Sequence, residues 1–275
     1  MEPGYKLTRL ENILKDLGSV AVAFSAGVDS AFLAYTAHRV LGGKMLAVTI
    51  DAPSVPRREL HEAKAFCEGL GIRHTVCVAD QLSIEGFRTN PTDRCYHCKL
   101  ELFSAIKNAA EQSGAAYVAE GSNVDDLSDF RPGLKAIAEL GIKSPLREAG
   151  LTKLDIRLLS RAAGLPTWDK PSFACLATRI PYGDEITSEN LKMAELAEQR
   201  LFDLGFKQLR VRIHGTLARI ELPKEDIERL LSPTLREEIV NYFSSLGFSY
   251  TALDLGGFKS GNMNKGRETK CTMHN

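Results

Sequence analysis

The sequence has no surplus of either charge: 35 lysines and arginines stand against 35 aspartates and glutamates in 275 residues. A dedicated nucleic-acid binder carries a basic excess to meet phosphates, so no nucleic-acid partner is expected. No stretch reaches the ~18 apolar residues that would span a bilayer, and residues 1–6 hold no apolar signal core. The expectation is a cytoplasmic protein with no membrane partner. There is no internal repeat and no low-complexity tract. Cysteine is sparse, at six residues, and cytoplasmic thiols stay reduced, so a disulfide framework is not expected. Cysteines that cluster point instead to metal binding or catalysis.

What is present is an ordinary globular balance, 44% hydrophobic and 25% charged, at a length that suits one large domain or two modest ones. Residues 19–24 read as a buried strand, and helical spacing begins at 31 and runs to about 41, where Gly42-Gly43 stops it. A strand at 45–50, a helix at about 58–70, a strand at 73–78, a helix at about 99–113 and a strand at 116–119 follow. Strands interleaved with helices predict an α/β fold, a parallel sheet with helices on both faces and ligands at the carboxyl ends of the strands. The loops at 25–30, 51–56 and 120–126 would share that edge. Residues 166–171 look like a boundary, giving domains 1–168 and 169–275. The second is expected to be a smaller α+β domain, with a polar helix at about 188–204 and strands at 208–213, 218–222 and 249–253. The segment from Ser260 onward is expected to be mobile.

The loop Ser25-Ala26-Gly27-Val28-Asp29-Ser30 joins a strand directly to a helix. The first N–H groups of a helix lack partners and its dipole is positive there, which suits a phosphate. Gly27 can take a positive φ and leaves room for an oxygen. Ser25 and Ser30 supply hydroxyls, and Asp29 can carry magnesium or cap the helix. The other reading is an Asp/Ser cap after a core strand. No Gly-Lys-Ser/Thr follows, so this is not a Walker A loop. It resembles the SGGxDS pyrophosphate loop of the N-type (PP-loop) ATP pyrophosphatases, with Ala26 where that family usually has glycine. The resemblance implies ATP, with Asp51 near the adenosine and Gly121 and Asp125 in a later nucleotide loop.

Arg94-Cys95-Tyr96-His97-Cys98-Lys99 places a Cys-x-x-Cys pair just before a helix, and Cys175 lies further on. Three thiolates can bind an iron–sulfur cluster with one iron open, or zinc with a histidine such as His97. A thioredoxin-like dithiol is a third option that the flanking pattern does not suit. Cys67 and Cys77 read as packing residues. Cys271 is given no role.

Four segments together resemble the LarE family of ATP-dependent sulfur transferases. They are the loop, Arg-Cys-Tyr-x-Cys-Lys, Trp168-Asp169-Lys170-Pro171 with Cys175-Leu176-Ala177-Thr178-Arg179, and Val211-Arg212-Ile213-His214-Gly215 with Ala218-Arg219-Ile220-Glu221. The resemblance implies a small-molecule nucleotide substrate, pyridinium-3,5-biscarboxylic acid mononucleotide, and a homo-oligomer. It also implies ATP and Mg2+, and a 4Fe–4S cluster on Cys95, Cys98 and Cys175, with Cys175 and Asp29 catalytic. Sacrifice of the Cys175 sulfur is the second route. Arg210 and Arg212 alternate along a strand and so share a face. With His214 and Glu221 they are substrate candidates, against the alternative of a charged face in water. Rival readings are a tRNA thiolase, an amide-forming synthetase, or a non-catalytic zinc or nucleotide module.

Overall fold

In the computed structural model, residues 2–128 and 132–259 are described. The chain divides into two compact units between Phe173 and Ala174. In the first, the elements run α1 (Pro3–Leu17), β1 (Val20–Ala23), α2 (Val28–Leu41), β2 (Met45–Asp51), α3 (Arg57–Leu70), β3 (His74–Val78), α4 (Glu85–Arg88), α5 (Arg94–Ser113), β4 (Tyr117–Ala119), α6 (Pro132–Glu139), α7 (Pro145–Glu148) and α8 (Lys153–Ala162). The four strands form one parallel sheet in the order β3-β2-β1-β4. Strand alternation decides how it is covered. Val20, Val22, Met45 and Ala47 face a core built with α1, α2, α3 and α8. Ala21, Leu46 and Val48 face a second core with α5 and α6.

The chain lays β2 and β3 to one side of β1 and then returns β4 to the other. That reversal makes a crevice at the carboxyl ends of β1 and β4, where open α/β sheets bind ligands.

The helix at α5 begins at Arg94 rather than near Lys99, so the cysteine pair lies within its first two turns. Two i,i+4 contacts carry it back. The buried Arg94 guanidinium donates to Asn90 Oδ1, and His97 Nε2 sits 3.4 Å from Asp93 Oδ2. Helix α8, unanticipated, starts on a full capping box: the Thr152 hydroxyl accepts from the Asp155 N–H and the Asp155 carboxylate accepts from the Thr152 N–H.

The second unit holds α9 (Ser188–Asp203), β5 (Arg210–His214), β6 (Leu217–Glu221), α10 (Lys224–Leu230), α11 (Pro233–Ser245) and β7 (Tyr250–Leu253). Strands β5 and β6 are antiparallel through the turn at Gly215, and β6 pairs with β7 in parallel. Cys271 and the segment from Ser260 onward lie outside the described residues.

Candidate functional site

In the first unit, the loop at 25–30 leaves the carboxyl end of β1 and turns into α2, whose N-cap is Gly27 with no side-chain cap bond. Capping is therefore not the task of Asp29. Its carboxylate, in the first turn of α2, is paired with the Lys153 ammonium from the first residue of α8, and its other oxygen accepts from Asn123 Nδ2 at 3.3 Å. Ser25 and Ser30 face each other across the turn with hydroxyls 3.1 Å apart, and Ser30 Oγ also accepts from the Ser25 N–H at 3.3 Å. The left-handed residue is not Gly27, whose φ is −78°, but Ala26 at +53°. The glycine that the sequence offers is thus not the one the turn bends on.

Two neighbouring loops complete this edge. Asp51, at the end of β2, pairs with Arg57 at 2.6 Å. The loop after β4 is braced within itself, since Ser122 donates to Glu120 through both N–H and hydroxyl, and the Asp125 N–H bonds Asn123 Oδ1. Asp125 also accepts from the Lys153 N–H at 2.8 Å, which ties this loop to the residue that neutralises Asp29. Gly121 lies so close that a Cβ there would sit 2.9 Å from the Ser30 amide nitrogen. Ser25, Gly27, Asp29, Ser30, Gly121 and Asp125 are therefore at one crevice, with Asp51 at the end of the adjacent strand.

Sequence reasoning missed Lys153, Lys170 and Gln81 here. The capping box Thr152-Lys153-Leu154-Asp155 marks a helix start and could have drawn attention to Lys153. Lys170 Nζ donates to the Ala26 carbonyl at 2.9 Å and to Glu62 Oε2 at 2.5 Å. Gln81, buried, accepts from the Ser54 N–H and donates to Cys98 Sγ at 3.1 Å. It links the loop after β2 to the cysteine pair, and no local sequence pattern announces it.

Cys95 and Cys98 stand one turn apart on α5, an i,i+3 spacing that puts both thiols on one face, next to the positive end of the helix. His97 is one residue from Cys98 and two from Cys95, spacings that do not share a face, and its ring packs over Gly86. A zinc site using His97 with this pair is therefore not what the helix builds. Burial, with Glu68 adding to it, pushes the Cys67 thiol up to about 12, and burial also raises Cys77; both act as packing residues.

Cys175 belongs to the second unit, just before the short turn Leu176–Arg179. Arg179, about 1% exposed, makes a two-pronged ion pair with Glu198, at 2.8 Å on each prong. Its remaining nitrogen donates to the carbonyls of Ala174 and Cys175, at 2.8 and 3.2 Å, so the Cys175 backbone is clamped. Among the described residues no group of three or more His, Cys, Asp or Glu is gathered that could hold a metal ion. What suits a cluster is the chemistry of the donors: three cysteines outside any disulfide, two of them one helical turn apart.

The register of β5 and β6 sets Arg210 opposite Glu221 and Arg212 opposite Arg219, so all four occupy one sheet face with His214. That face is not the water-exposed charged surface that was the alternative, because Arg210 and Arg212 are each about 5% exposed and Glu221 is fully buried. Glu221 accepts from Arg212 at 2.9 Å and from Arg219 at 3.2 Å. Arg212 also donates to the Thr178 carbonyl at 2.7 Å. Glu221 is thus the counterion that aims Arg212 and Arg219. Burial, with the charge of Arg179 adding to it, lowers Arg210 to about 10. Burial and Arg219 lower His214 below the usual imidazole value. Arg212 Nε and His214 Nε2 are buried with no hydrogen-bond partner among the described residues. Asp254 pairs with Arg219 at 3.4 Å. Four arginines against Glu198, Glu221 and Asp254 leave one positive charge in excess, and with the donors of Arg212 and His214 in reserve this suits an anion.

A protein-family model described as NAD synthase matches residues 8–93. Over 260 residues, the chain is 38% identical to the pyridinium-3,5-bisthiocarboxylic acid mononucleotide synthase of Lactiplantibacillus plantarum, covering 94% of each protein. It is 42% identical to an uncharacterised Synechocystis protein, over 94% of this chain and 97% of that one. A subunit of the glutamine-hydrolysing GMP synthase of Methanococcus maripaludis is 28% identical over 68% of this chain and 65% of its own.

Proposed function

Since the chain belongs to the LarE family of PP-loop, ATP-using enzymes, we propose that it converts carboxylates of pyridinium-3,5-biscarboxylic acid mononucleotide to thiocarboxylates. As a member it is an ATP-dependent sulfur transferase that forms AMP and pyrophosphate. The observation that carries this reading is end-to-end similarity to a named synthase, combined with three nucleotide loops at one sheet edge.

A carboxylate is a poor electrophile because its leaving group would be oxide. In the first stage a substrate carboxylate oxygen attacks the α-phosphorus of ATP, and the α–β bridging oxygen leaves with pyrophosphate. The loop at 25–30 receives that pyrophosphate on the first N–H groups of α2 and the Ser25 and Ser30 hydroxyls. Asp29, with Asp125 nearby, is the residue to hold magnesium, which neutralises phosphate charge. In the second stage a sulfur nucleophile adds to the acyl carbon and AMP departs. Cys175, its backbone clamped by Arg179, is assigned to sulfur delivery. The thiolates of Cys95, Cys98 and Cys175 would hold a 4Fe–4S cluster, whose open iron supplies a site for an extra sulfide. Arg212, kept in place by Glu221, and Arg210 on the same face bind the phosphate of the substrate, with His214 beside them.

The test is incubation of anaerobically purified protein with ATP, magnesium and the biscarboxylic nucleotide. AMP and pyrophosphate should form only with the nucleotide present, and the nucleotide should gain the mass of sulfur in place of oxygen. AMP release without that mass change refutes the reading. Iron and sulfide analysis distinguishes the sulfur source. An iron-free protein whose Cys175 becomes dehydroalanine replaces the cluster route with the sacrificial one. There the Cys175 thiolate displaces AMP to form a thioester, and loss of the Cα proton then breaks the Cβ–S bond, leaving the sulfur on the substrate as thiocarboxylate.

A further inference from the structure

Lys170 comes from the segment Trp168-Asp169-Lys170-Pro171, to which the chemistry above gives no task. We propose that Lys170 is a positioning residue of the phosphate loop, its ammonium holding the left-handed Ala26 so that the loop keeps the shape that receives pyrophosphate. The inference rests on reading the loop at 25–30 as the ATP site.

Among the described residues only Ala26 and Asn90 have a positive φ without being glycine. Asparagine tolerates that region because its amide can bond the local backbone, whereas alanine has a Cβ that clashes and no polar group to compensate. Ala26 cannot relax by swinging outward. It is about 1% exposed within the core, and it is fixed on both sides: the Phe24 N–H bonds the Val48 carbonyl at 2.8 Å and the Ala31 N–H bonds the Gly27 carbonyl at 2.9 Å. Strain held at a functional loop needs support from outside it.

That support arrives from 144 residues away, where Lys170 Nζ donates to the Ala26 carbonyl at 2.9 Å. The ammonium is itself anchored. Glu62 on α3 holds it at 2.5 Å, and the Arg157 guanidinium on α8 takes the carbonyls of Trp168 and Lys170, each at 2.8 Å. The Lys170 side chain is about 15% exposed, so solvent competes little with the bond. The consequence for the site follows from peptide planarity. In a trans peptide the carbonyl of residue 26 and the N–H of residue 27 point opposite ways. A lysine that captures the carbonyl therefore also fixes the direction of the Gly27 N–H, and keeps a negative oxygen from turning toward an anion. A glycine at position 26 would take the conformation unaided.

The experiment compares Lys170→Met in two backgrounds, the natural chain and Ala26→Gly, by equilibrium titration with Mg·ATP and by thermal melting. Lys170→Met should weaken ATP binding roughly tenfold or more beside Ala26, but only about twofold when Ala26→Gly is also present. Loss of the Glu62 contact is common to both backgrounds and cancels. The melting temperature should likewise fall further beside Ala26. Equal losses in the two backgrounds overturn the proposal. If the unaltered protein fails to bind ATP, the ATP reading falls while the melting comparison still judges the strut. If Lys170→Met does not accumulate folded, Glu62→Gln loosens the same ammonium and should give the same pattern in the two backgrounds; equal losses there overturn the proposal too.

Discussion

Substituting Gly121 by alanine tests whether the loop after β4 and the phosphate loop form one wall. A Cβ at position 121 would lie 2.9 Å from the Ser30 nitrogen and 3.2 Å from both the Asp29 carbonyl carbon and Ser30 Cα. All three atoms are backbone of the first turn of α2, so no side chain can rotate away. Either that turn or the loop at 120–126 must move by a few tenths of an ångström. Overpacking of this kind costs ~1–3 kcal/mol. At ~2–4 °C per kcal/mol for a unit of this size, the melting temperature should fall by roughly 2–12 °C. The displaced turn carries Asp29 and the N–H groups assigned to pyrophosphate, so ATP affinity should drop about tenfold. Gly114→Ala is the control. Gly114 has φ +76° at the end of α5, with nothing within 4 Å of its added Cβ. It should lower stability by ~1 kcal/mol while ATP affinity stays put. If Gly121→Ala binds ATP and melts like the unaltered protein, the two loops do not share a wall and the site is wrongly drawn.

Three further outcomes are expected. Arg179→Met leaves Glu198 buried without its partner and should destabilise the second unit by ~3–5 kcal/mol, read by chemical denaturation; a loss under ~1 kcal/mol contradicts the buried pair. His74, lowered by burial and by Lys64, and His214, lowered by burial and by Arg219, both bind protons more readily when unfolded. The unfolded state therefore takes up more protons below the unfolded value of 6.5, and stability should decline as pH falls through that value. Replacing His214 by leucine should flatten the decline, and an unchanged slope would reject its share. Cys67, pushed up to about 12 and buried, should escape alkylation in the native protein at neutral pH, as peptide mass analysis would reveal.

The sequence alone was enough for whatever depends on neighbours along the chain. Short apolar runs alternating with helical spacing gave the parallel sheet, because periods of two and 3.6 residues record which faces are buried. The strand–loop–helix at 19–41 was legible, and so was the face that Arg210 and Arg212 share, for the same local reason. Helix starts were less legible: α5 reaches back to Arg94 through contacts of Asn90 and Asp93 that no periodicity encodes. Only the tertiary structure decided which residue of the loop at 25–30 is left-handed: it is Ala26, whose carbonyl accepts from the distant Lys170 ammonium. It alone brought Lys153 to Asp29 across 124 residues, Gln81 to Cys98, and Glu221 to Arg212 in a face that burial, rather than water, surrounds. A residue's own spacing sets the face it presents, but its partner is chosen by the packing of elements distant in sequence, and a charge is aimed by that partner.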